Sequence, residues 1–328
     1  MKKVIKILLI VIISLAALVA LIIGGYNAYL RIAFRDFYSA AETHGNVPGI
    51  ADGFIHQGIS YLPDSEEFIA CGYMNDGSAS RIYIFNESGE RYVTLNGEDG
   101  KPTDTHTGGL SYWAGFVFLT DGDRILVYDL SSIQSKSKES GSVTPVAAFD
   151  VNLKASFCYV EGNDLYVGEF YREQNYKTDS SHHLTTPSGD KHHALMVTFD
   201  LESMIVDGFT EIVPKAAYSI PDLAQGVCIT DSGRICISTS YAVAPSHILV
   251  YSAVTEDEQK DTFEFAGKLL PLTYLDSKRL ESDIKFFPMS EELVNLDGRV
   301  YIMNESASAK YIFGKLTGGN KLYSIKID

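Results

Sequence analysis

The chain has 328 residues and carries 42 acidic against 27 basic side chains, which gives a formal net charge of −15. An acidic surface of this size repels phosphate backbones, so the composition argues against a nucleic-acid partner. The 20 tyrosines and 17 phenylalanines are typical of a protein rich in β-strands.

The first predicted element is a membrane-spanning helix. Three lysines within the first six residues precede an apolar stretch over residues 7–23, in which Ser14 is the only polar residue. This length approaches the roughly 20 residues that a spanning helix needs and exceeds the roughly 7 to 15 apolar residues of a cleaved signal peptide. We therefore predict an uncleaved signal-anchor helix over residues 1–25, with a cleaved signal peptide as the alternative.

The charges around this stretch predict its orientation. Lysines before the apolar residues favour a cytoplasmic N-terminus and place the large domain on the outer side of the cell membrane, as a single-pass protein. Residues 26–47, which contain aromatic and basic side chains suited to a membrane interface, are predicted as a juxtamembrane helix and linker. Residues 48–328 are predicted as one domain.

A recurring segment indicates the architecture of that domain. Five similar strand starts begin at His56, Gly108, Ala155, Gln225 and Glu291, at intervals of 47 to 70 residues, and each precedes a polar turn and an apolar run. Such a repeat is typical of a β-propeller. We predict an all-β, five-bladed propeller. Six or seven blades are the alternative, because a WD40 repeat has only roughly 40 to 45 residues.

The outer strands of the predicted blades are less regular than the inner ones. The fourth strands of blades two, three and four are predicted over residues 143–151, 209–214 and 263–270. Blade five ends after three strands, so we expect the segment just after the linker to supply its fourth strand and close the ring, which removes an exposed sheet edge.

Long connections favour one face of the propeller as the functional face. The segments Tyr171–His193 and Glu305–Asn320 are the longest loops inside the blades, and both lie at the end where the inner strands begin. Long loops at one rim of a rigid scaffold are where binding residues concentrate.

Polar residues of this rim are the predicted ligand-binding site. Equivalent positions of different blades converge on the propeller axis, so side chains far apart in the sequence are expected to meet there. The predicted residues are His56, Gln57, His106, Thr107, Gln225, Glu291, Glu292, Asn304, Glu305 and Lys310.

Three interpretations of these residues stay open. They cap the channel as solvated polar groups, or they bind a small polar ligand. Alternatively, His56, His106 and Glu292 hold one divalent metal ion through nitrogen and oxygen ligands. Glu305 either pairs with Lys310 within its loop or acts as an acid–base group.

Histidines and cysteines elsewhere leave further alternatives. The insert over residues 180–193 contains two histidine pairs, which either chelate a metal or belong to a mobile polar loop, and the composition favours the loop. Cys228 and Cys236 either form a cross-strand disulfide or stay as free buried thiols. Cys71 and Cys158 fall in non-adjacent blades and are predicted to be unpaired.

The starts of the inner strands and the NESASAKY segment resemble those of exported bacterial propeller proteins that are loosely similar to the six-bladed lactonase and gluconolactonase group. The resemblance covers the whole predicted propeller as an architecture. Lactonases of that group hold calcium in the channel with Glu, Asn and Asp side chains. The resemblance therefore implies Glu291 or Glu292, together with Asn304, as the matching positions, whereas His56 and His106 depart from the pattern.

The sequence thus predicts a membrane-anchored, extracytoplasmic β-propeller that binds a small ligand or a cell-envelope partner at its channel rim. One alternative is a metal-dependent hydrolase, lactonase- or esterase-like, that uses the same rim. Another is a structural scaffold that binds basic partners through its acidic surface. The sequence contains no GxSxG, HExxH, GxGxxG or Walker motif, so none of the common local enzyme signatures decides between them.

Overall fold

The computed structural model describes residues 2–255, 261–308, 310–311 and 314–328. The helices are α1 Lys2–Ala33, α2 Arg35–Ala40, α3 Leu130–Ser137, α4 Leu201–Val206 and α5 Gly314–Thr317. The strands are β1 Ala41–Asn46, β2 Phe54–Leu62, β3 Glu67–Met74, β4 Arg81–Asn86, β5 Gly89–Leu95, β6 Leu110–Trp113, β7 Phe116–Asp121, β8 Arg124–Asp129, β9 Ser142–Val143, β10 Ala147–Asp150, β11 Phe157–Glu161, β12 Asp164–Gly168, β13 Leu184–Thr185, β14 Lys191–His192, β15 Ala194–Asp200, β16 Pro214–Ile220, β17 Ala224–Ile229, β18 Ile235–Thr239, β19 Ser246–Tyr251, β20 Asp261–Phe265, β21 Lys268–Tyr274, β22 Leu280–Phe286, β23 Ser290–Leu296, β24 Arg299–Asn304 and β25 Lys321–Lys326.

Five antiparallel sheets form the blades of a propeller. Their inner strands are β2, β6, β11, β17 and β23, and each continues outward into three further antiparallel strands. Neighbouring inner strands contact one another around the whole ring, because β2 touches both β6 and β23, while β11 touches both β6 and β17, and β17 touches β23. The predicted five-bladed propeller is therefore confirmed.

The ring is closed by the N-terminal part of the chain. Strand β1 pairs antiparallel with β25, from Ala41 opposite Ile325 to Asn46 opposite Lys321, and it supplies the fourth strand of blade five. A segment from the N-terminal part of the chain thus closes blade five, as predicted, but it lies at Ala41–Asn46, inside the segment 26–47 that was predicted as juxtamembrane helix and linker, rather than after it. The first and last strands of the domain belong to one sheet.

The outer strands of blades two, three and four differ from the predicted ones. The fourth strand of blade four is β22, and that of blade three is β16. Residues 263–270 belong instead to the β20–β21 hairpin, which extends blade three through a parallel pairing of β21 with β16. In blade two the fourth strand is β10, whereas Val143 in β9 pairs with β5 of blade one. Strand β22 escaped prediction because most of its residues are exposed and polar, so it lacks the apolar alternation that indicates a half-buried strand.

The end of the apolar helix is part of the propeller core. Leu30, Phe34 and Phe37 are buried, and the Phe37 ring stacks on Phe286 at 4.9 Å between ring centroids. The helix continues beyond the predicted end of the anchor at residue 25 to Ala33. Among the described residues, it is the helix long and apolar enough to span a membrane, and its apolar residues over positions 4–23 are exposed. Such a length of exposed apolar surface is far more than a soluble domain usually presents.

Candidate functional site

A cavity of about 1100 Å³ opens on the face of the propeller where the inner strands begin. All five blades contribute residues to its wall, and these residues come from the starts of inner strands and from the loops that connect second to third strands. The volume is ample for a small organic ligand, since ligand pockets typically measure roughly 300 to 1,000 Å³.

Six of the ten residues predicted to bind a ligand line this cavity, namely Gln57, His106, Gln225, Glu291, Glu305 and Lys310. The other four are buried next to it, namely His56, Thr107, Glu292 and Asn304. The arrangement therefore separates the predicted set into a group that faces open space and a group that is enclosed by protein.

Strand irregularities turn three of the six side chains into the cavity. The register of β2, β17 and β23 shifts by one residue against the neighbouring strand at Gln57, Gln225 and the pair Glu291–Glu292. Such a β-bulge leaves one residue out of the regular pairing and redirects its side chain, and bulges are frequent beside functional sites. The repeated strand start that marks the blades in the sequence therefore also positions the polar wall of the cavity.

Glu292 closes the propeller axis below the cavity. One carboxylate oxygen accepts hydrogen bonds from the backbone N–H groups of Ile59 and Leu110, both at 2.9 Å, and the other accepts one from Cys158 at 3.1 Å. A side chain of blade five thereby joins the inner strands of blades one, two and three. Burial raises the pKa of Glu292 well above its usual range, against the opposing effect of these three donors.

Glycines make room for this carboxyl group. A Cβ atom on Gly58 would lie 2.7 Å from one Glu292 oxygen, and one on Gly109 would lie 2.6 Å from the other. A Cβ atom on Gly226 would lie 2.5 Å from the Glu292 Cα atom. The three glycines occupy matching positions in three inner strands, so their lack of a side chain lets five strands meet around a single glutamate.

The three predicted metal ligands, His56, His106 and Glu292, each contact a different part of the protein. The His56 imidazole hydrogen-bonds through Nε2 to the Pro48 carbonyl oxygen at 2.6 Å, and burial lowers its pKa to about 4. Glu292 is occupied by backbone groups, while His106 lies against the Tyr73 ring at 4.6 Å between centroids. Within the described ranges, no group of three or more His, Cys, Asp or Glu side chains is arranged to hold a metal ion.

Two carboxyl groups share the wall of the cavity at blade five. Glu291 is almost fully buried, and Glu305 is half-buried and accepts a hydrogen bond from the Gln57 amide at 3.3 Å. Burial raises the pKa of Glu291 well above its usual range, and the charges of Glu305 and Glu292 add to that effect. Burial also raises the pKa of Glu305 to about 7, although the Lys310 ammonium and hydrogen bonds from Tyr311 and Gln57 act in the opposite direction.

Lys310 stands beside these carboxyl groups, but its ammonium group is held by tyrosines. Its Nζ donates a hydrogen bond to the Tyr73 hydroxyl at 2.8 Å and lies 5.2 Å from the centre of that ring and 5.4 Å from the centre of the Tyr311 ring. Distances of this size allow the attraction between a cation and an aromatic ring. An ammonium group is therefore already accommodated between aromatic rings and a carboxylate at this wall.

Two further blades add more aromatic side chains to the wall. Phe170, Tyr176 and Tyr241 line the cavity from blades three and four. The guanidinium of Arg172 stacks over the Tyr241 ring at 4.0 Å from its centre, which holds that ring in place. Together with Tyr73 and Tyr311, these rings give the cavity an apolar, electron-rich surface around its few charged groups.

Sequence reasoning missed part of this wall. The cavity residues outside the predicted set include Tyr73, Asp121, Asp123, Lys154, Tyr241 and Tyr311. The Asp121–Asp123 turn connects the second and third strands of blade two, so the rule that selected the long loops of blades three and five applies to it as well. The turn was not predicted because only long connections were taken as an indication of the functional face.

The histidine-rich insert is folded against blade three rather than an open loop. His182 bonds through Nδ1 to the buried Glu169 carboxylate at 2.9 Å, and His193 bonds to Asp222 at the same distance. His192 bonds through Nδ1 to the Ser219 hydroxyl at 3.0 Å. Each histidine has a separate partner, so the insert is held by local hydrogen bonds.

The cysteines are buried free thiols. Cys228 lies directly opposite Cys236 in the β17–β18 pair, as their position around the turn predicts, and the two thiols are unbridged. Cys71 and Cys158 are also free and buried, which agrees with the prediction that they do not pair. Burial raises the pKa of Cys71 and Cys158, so both thiols are poor nucleophiles.

Comparisons with protein-family models and with curated protein sequences found no match. Among solved structures, the chain is similar to a PQQ-bound aldose sugar dehydrogenase from Streptomyces coelicolor, with 12% identity, a TM-score of 0.46 and coverage of 86% of this chain and 95% of that one. It is also similar to a protein from Thermus thermophilus described as an oxidoreductase (glucose dehydrogenase), with 10% identity, a TM-score of 0.45 and coverage of 87% and 98%.

A third similar structure is the glutaminyl cyclase of Myxococcus xanthus, with 7% identity, a TM-score of 0.43 and coverage of 87% of this chain and 93% of that one. At such values the similarity concerns the arrangement of strands. The activities named for these three proteins are properties of those proteins alone.

Proposed function

We propose that this protein is a membrane-anchored, extracytoplasmic β-propeller that binds a small organic cation in the cavity at its channel rim. The observation that carries this proposal is the pair Glu291 and Glu305 in the wall of an aromatic-lined cavity. Two neighbouring carboxyl groups away from bulk water are unfavourable as anions, and a bound cation offsets both their repulsion and their loss of hydration.

The surroundings of the pair support a cation more than an anion. Four carboxyl groups line the cavity, from Asp121, Asp123, Glu291 and Glu305, against the two ammonium groups of Lys154 and Lys310. Aromatic rings from four blades complete the wall, and electron-rich ring faces are the usual partners of organic ammonium groups. The position of the Lys310 ammonium between two tyrosines illustrates the environment that such a ligand would find.

The experiment uses choline as the probe and the full-length protein in an uncharged detergent. Isothermal titration calorimetry would compare choline with 3,3-dimethylbutan-1-ol, which has the same shape but no charge. We expect saturable binding of choline alone, and loss of that binding in the Glu291→Gln and Glu305→Gln variants. Equal binding of both compounds, or unchanged choline binding in both variants, would refute the proposal.

Hydrolysis at the same site is the second candidate function. A pKa of about 7 for Glu305 is what a general acid–base group needs near neutral pH. This candidate keeps the reaction class that the sequence suggested and assigns the acid–base step to the Glu305 carboxyl group. Lactones and nitrophenyl esters are suitable substrates, and activity that persists unchanged in Glu305→Gln would exclude this role.

A further inference from the structure

The face of the propeller that carries the cavity can be identified from the strand directions. The inner strands begin at this face, so their second strands end there and their third strands begin there. Helix α5 lies in the connection between β24 and β25, and this connection also contains the cavity residues Glu305 and Lys310. Helix α5 is therefore at the cavity face.

The apolar helix leaves the propeller at that same face. Helix α1 packs against α5, and the Tyr38 hydroxyl donates a hydrogen bond to the backbone oxygen of Thr317 in α5 at 2.7 Å. Strand β25 begins at the cavity face and ends at the opposite face. Ala41, the first residue of β1, pairs with Ile325 near that opposite end, so α2 runs along the side of the ring between the two faces. The α1 helix thus extends from the cavity face rather than from the opposite one.

The distance between the apolar stretch and the propeller is short. The apolar stretch ends at Ile23, and Leu30 is already buried in the domain. These residues are seven positions apart on one continuous helix, which corresponds to about 10 Å along its axis. A helix of this kind leaves no flexible linker between a bilayer and the cavity face.

Two of the side chains that line the cavity are apolar or aromatic and largely exposed. Val243 and Tyr176 both line it, and their exposed fractions are 80% and 51%. Lys310 is also exposed at the mouth, while the carboxyl group of Glu291 lies deeper. The mouth therefore combines apolar residues with a cation at the outside and carboxyl groups at the inside.

We infer that the cavity opens toward the membrane surface and that its ligand is the zwitterionic headgroup of a membrane lipid, with the ammonium group at Glu291 and Glu305 and the phosphate near Lys310. This inference rests on the proposed function for the ammonium part of the ligand. Val243 and Tyr176 would contact the upper part of the lipid, where apolar and aromatic side chains are stable at a membrane interface. The source of the ligand is then the bilayer rather than the surrounding solution.

The orientation is tested with fluorophores on two matched single-cysteine variants of the full-length protein in liposomes. Val243→Cys places the probe at the cavity mouth, and Val206→Cys places it on α4, which follows β15 at the opposite face and is 86% exposed at this residue. The four native cysteines are buried, so labelling is directed to the new site. Nitroxide-labelled lipids should quench the probe at residue 243 strongly and the probe at residue 206 weakly. Equal quenching, stronger quenching at residue 206, or none at either would overturn the orientation.

The source of the ligand is tested by calorimetry with choline on the full-length protein in two kinds of nanodisc. In discs of phosphatidylcholine the lipid headgroup would compete, so the apparent affinity for choline should be at least about tenfold lower than in discs of phosphatidylglycerol. Equal affinity in both discs would overturn the lipid source. Failure of choline to bind in both discs would refute the proposed function instead. The orientation of the cavity would still be decided by the quenching experiment, which does not depend on choline.

Discussion

The propeller holds two adjacent glutamates under opposite conditions. At the axis, Glu292 is enclosed and its carboxyl group bonds to the backbone of three other blades. At the rim, Glu291 faces a cavity and a second carboxyl group, that of Glu305. The bulge in β23 lets neighbouring residues serve these two regions. Residue type alone therefore does not separate a structural carboxyl group from one that can bind a ligand, because the groups around each carboxyl decide its role.

Removal of the axial carboxyl group should have the largest effect. Glu292→Ala leaves three backbone N–H groups without an acceptor and opens a void, so we expect a loss of about 4 kcal/mol in the free energy of unfolding. Glu292→Gln keeps the shape and one acceptor oxygen, and it should lose roughly half as much. Thermal unfolding of the full chain in detergent would measure both. Melting temperatures equal to that of the wild type would show that the stability of the propeller does not depend on the Glu292 carboxyl group.

Replacement of a glycine at the axis should have the next largest effect on stability. Gly109→Ala places a methyl group 2.6 Å from both the Cys158 amide nitrogen and a Glu292 oxygen, and we expect a loss of about 2 kcal/mol in stability. Gly89→Ala is the matched control, because no atom lies within 4 Å of the added carbon and its φ angle is not positive, so its effect should stay within about 0.5 kcal/mol. Similar melting temperatures for both variants would contradict close packing at the axis.

At the rim, a change of pH should change the affinity of the cavity for choline. The pKa of Glu305 is about 7, so this carboxyl group is mostly neutral below that value and mostly anionic above it. A cation binds better to the anionic form, and the affinity for choline should therefore rise on the order of tenfold between pH 6 and pH 8. Calorimetry on the wild-type protein at both pH values would measure the rise. An affinity that is equal at pH 6 and pH 8, or lower at pH 8, would contradict the role of Glu305.

Replacement of Lys310 should have the smallest effect, and its sign depends on the ligand. Lys310→Met removes a cation that competes for the same rings, so choline should bind about threefold more tightly at a pH well above the pKa of Glu305, which itself rises when Lys310 is removed. Phosphocholine should bind more weakly in the same variant, because its phosphate loses a partner. Weaker binding of choline itself would contradict the place that we assign to the ammonium group.

The sequence predicts the parts of the fold that repeat. The five strand starts are similar because each has to fit a small residue or a bulge at the crowded axis, so blade number and ring closure follow from them. Strand β22 follows no such rule, since its surface is exposed and polar on most residues. The bulges at Gln57, Gln225 and Glu291 are also invisible in the sequence, because a register shift is a relation between two strands. For that reason Glu291 and Glu292 look equivalent until the strands are paired.

The pairing of β1 with β25 has a consequence for biosynthesis. Strand β1 precedes all other described strands of the propeller in the chain, and its partner β25 follows them all, so β1 is synthesised before its partner. Until β25 has been made, one edge of blade five lacks a neighbour and the ring stays open. Contacts so distant in sequence form slowly. A truncation that removes β25 would leave β1 without a partner and the ring open, so we expect such a chain to be readily degraded by proteases.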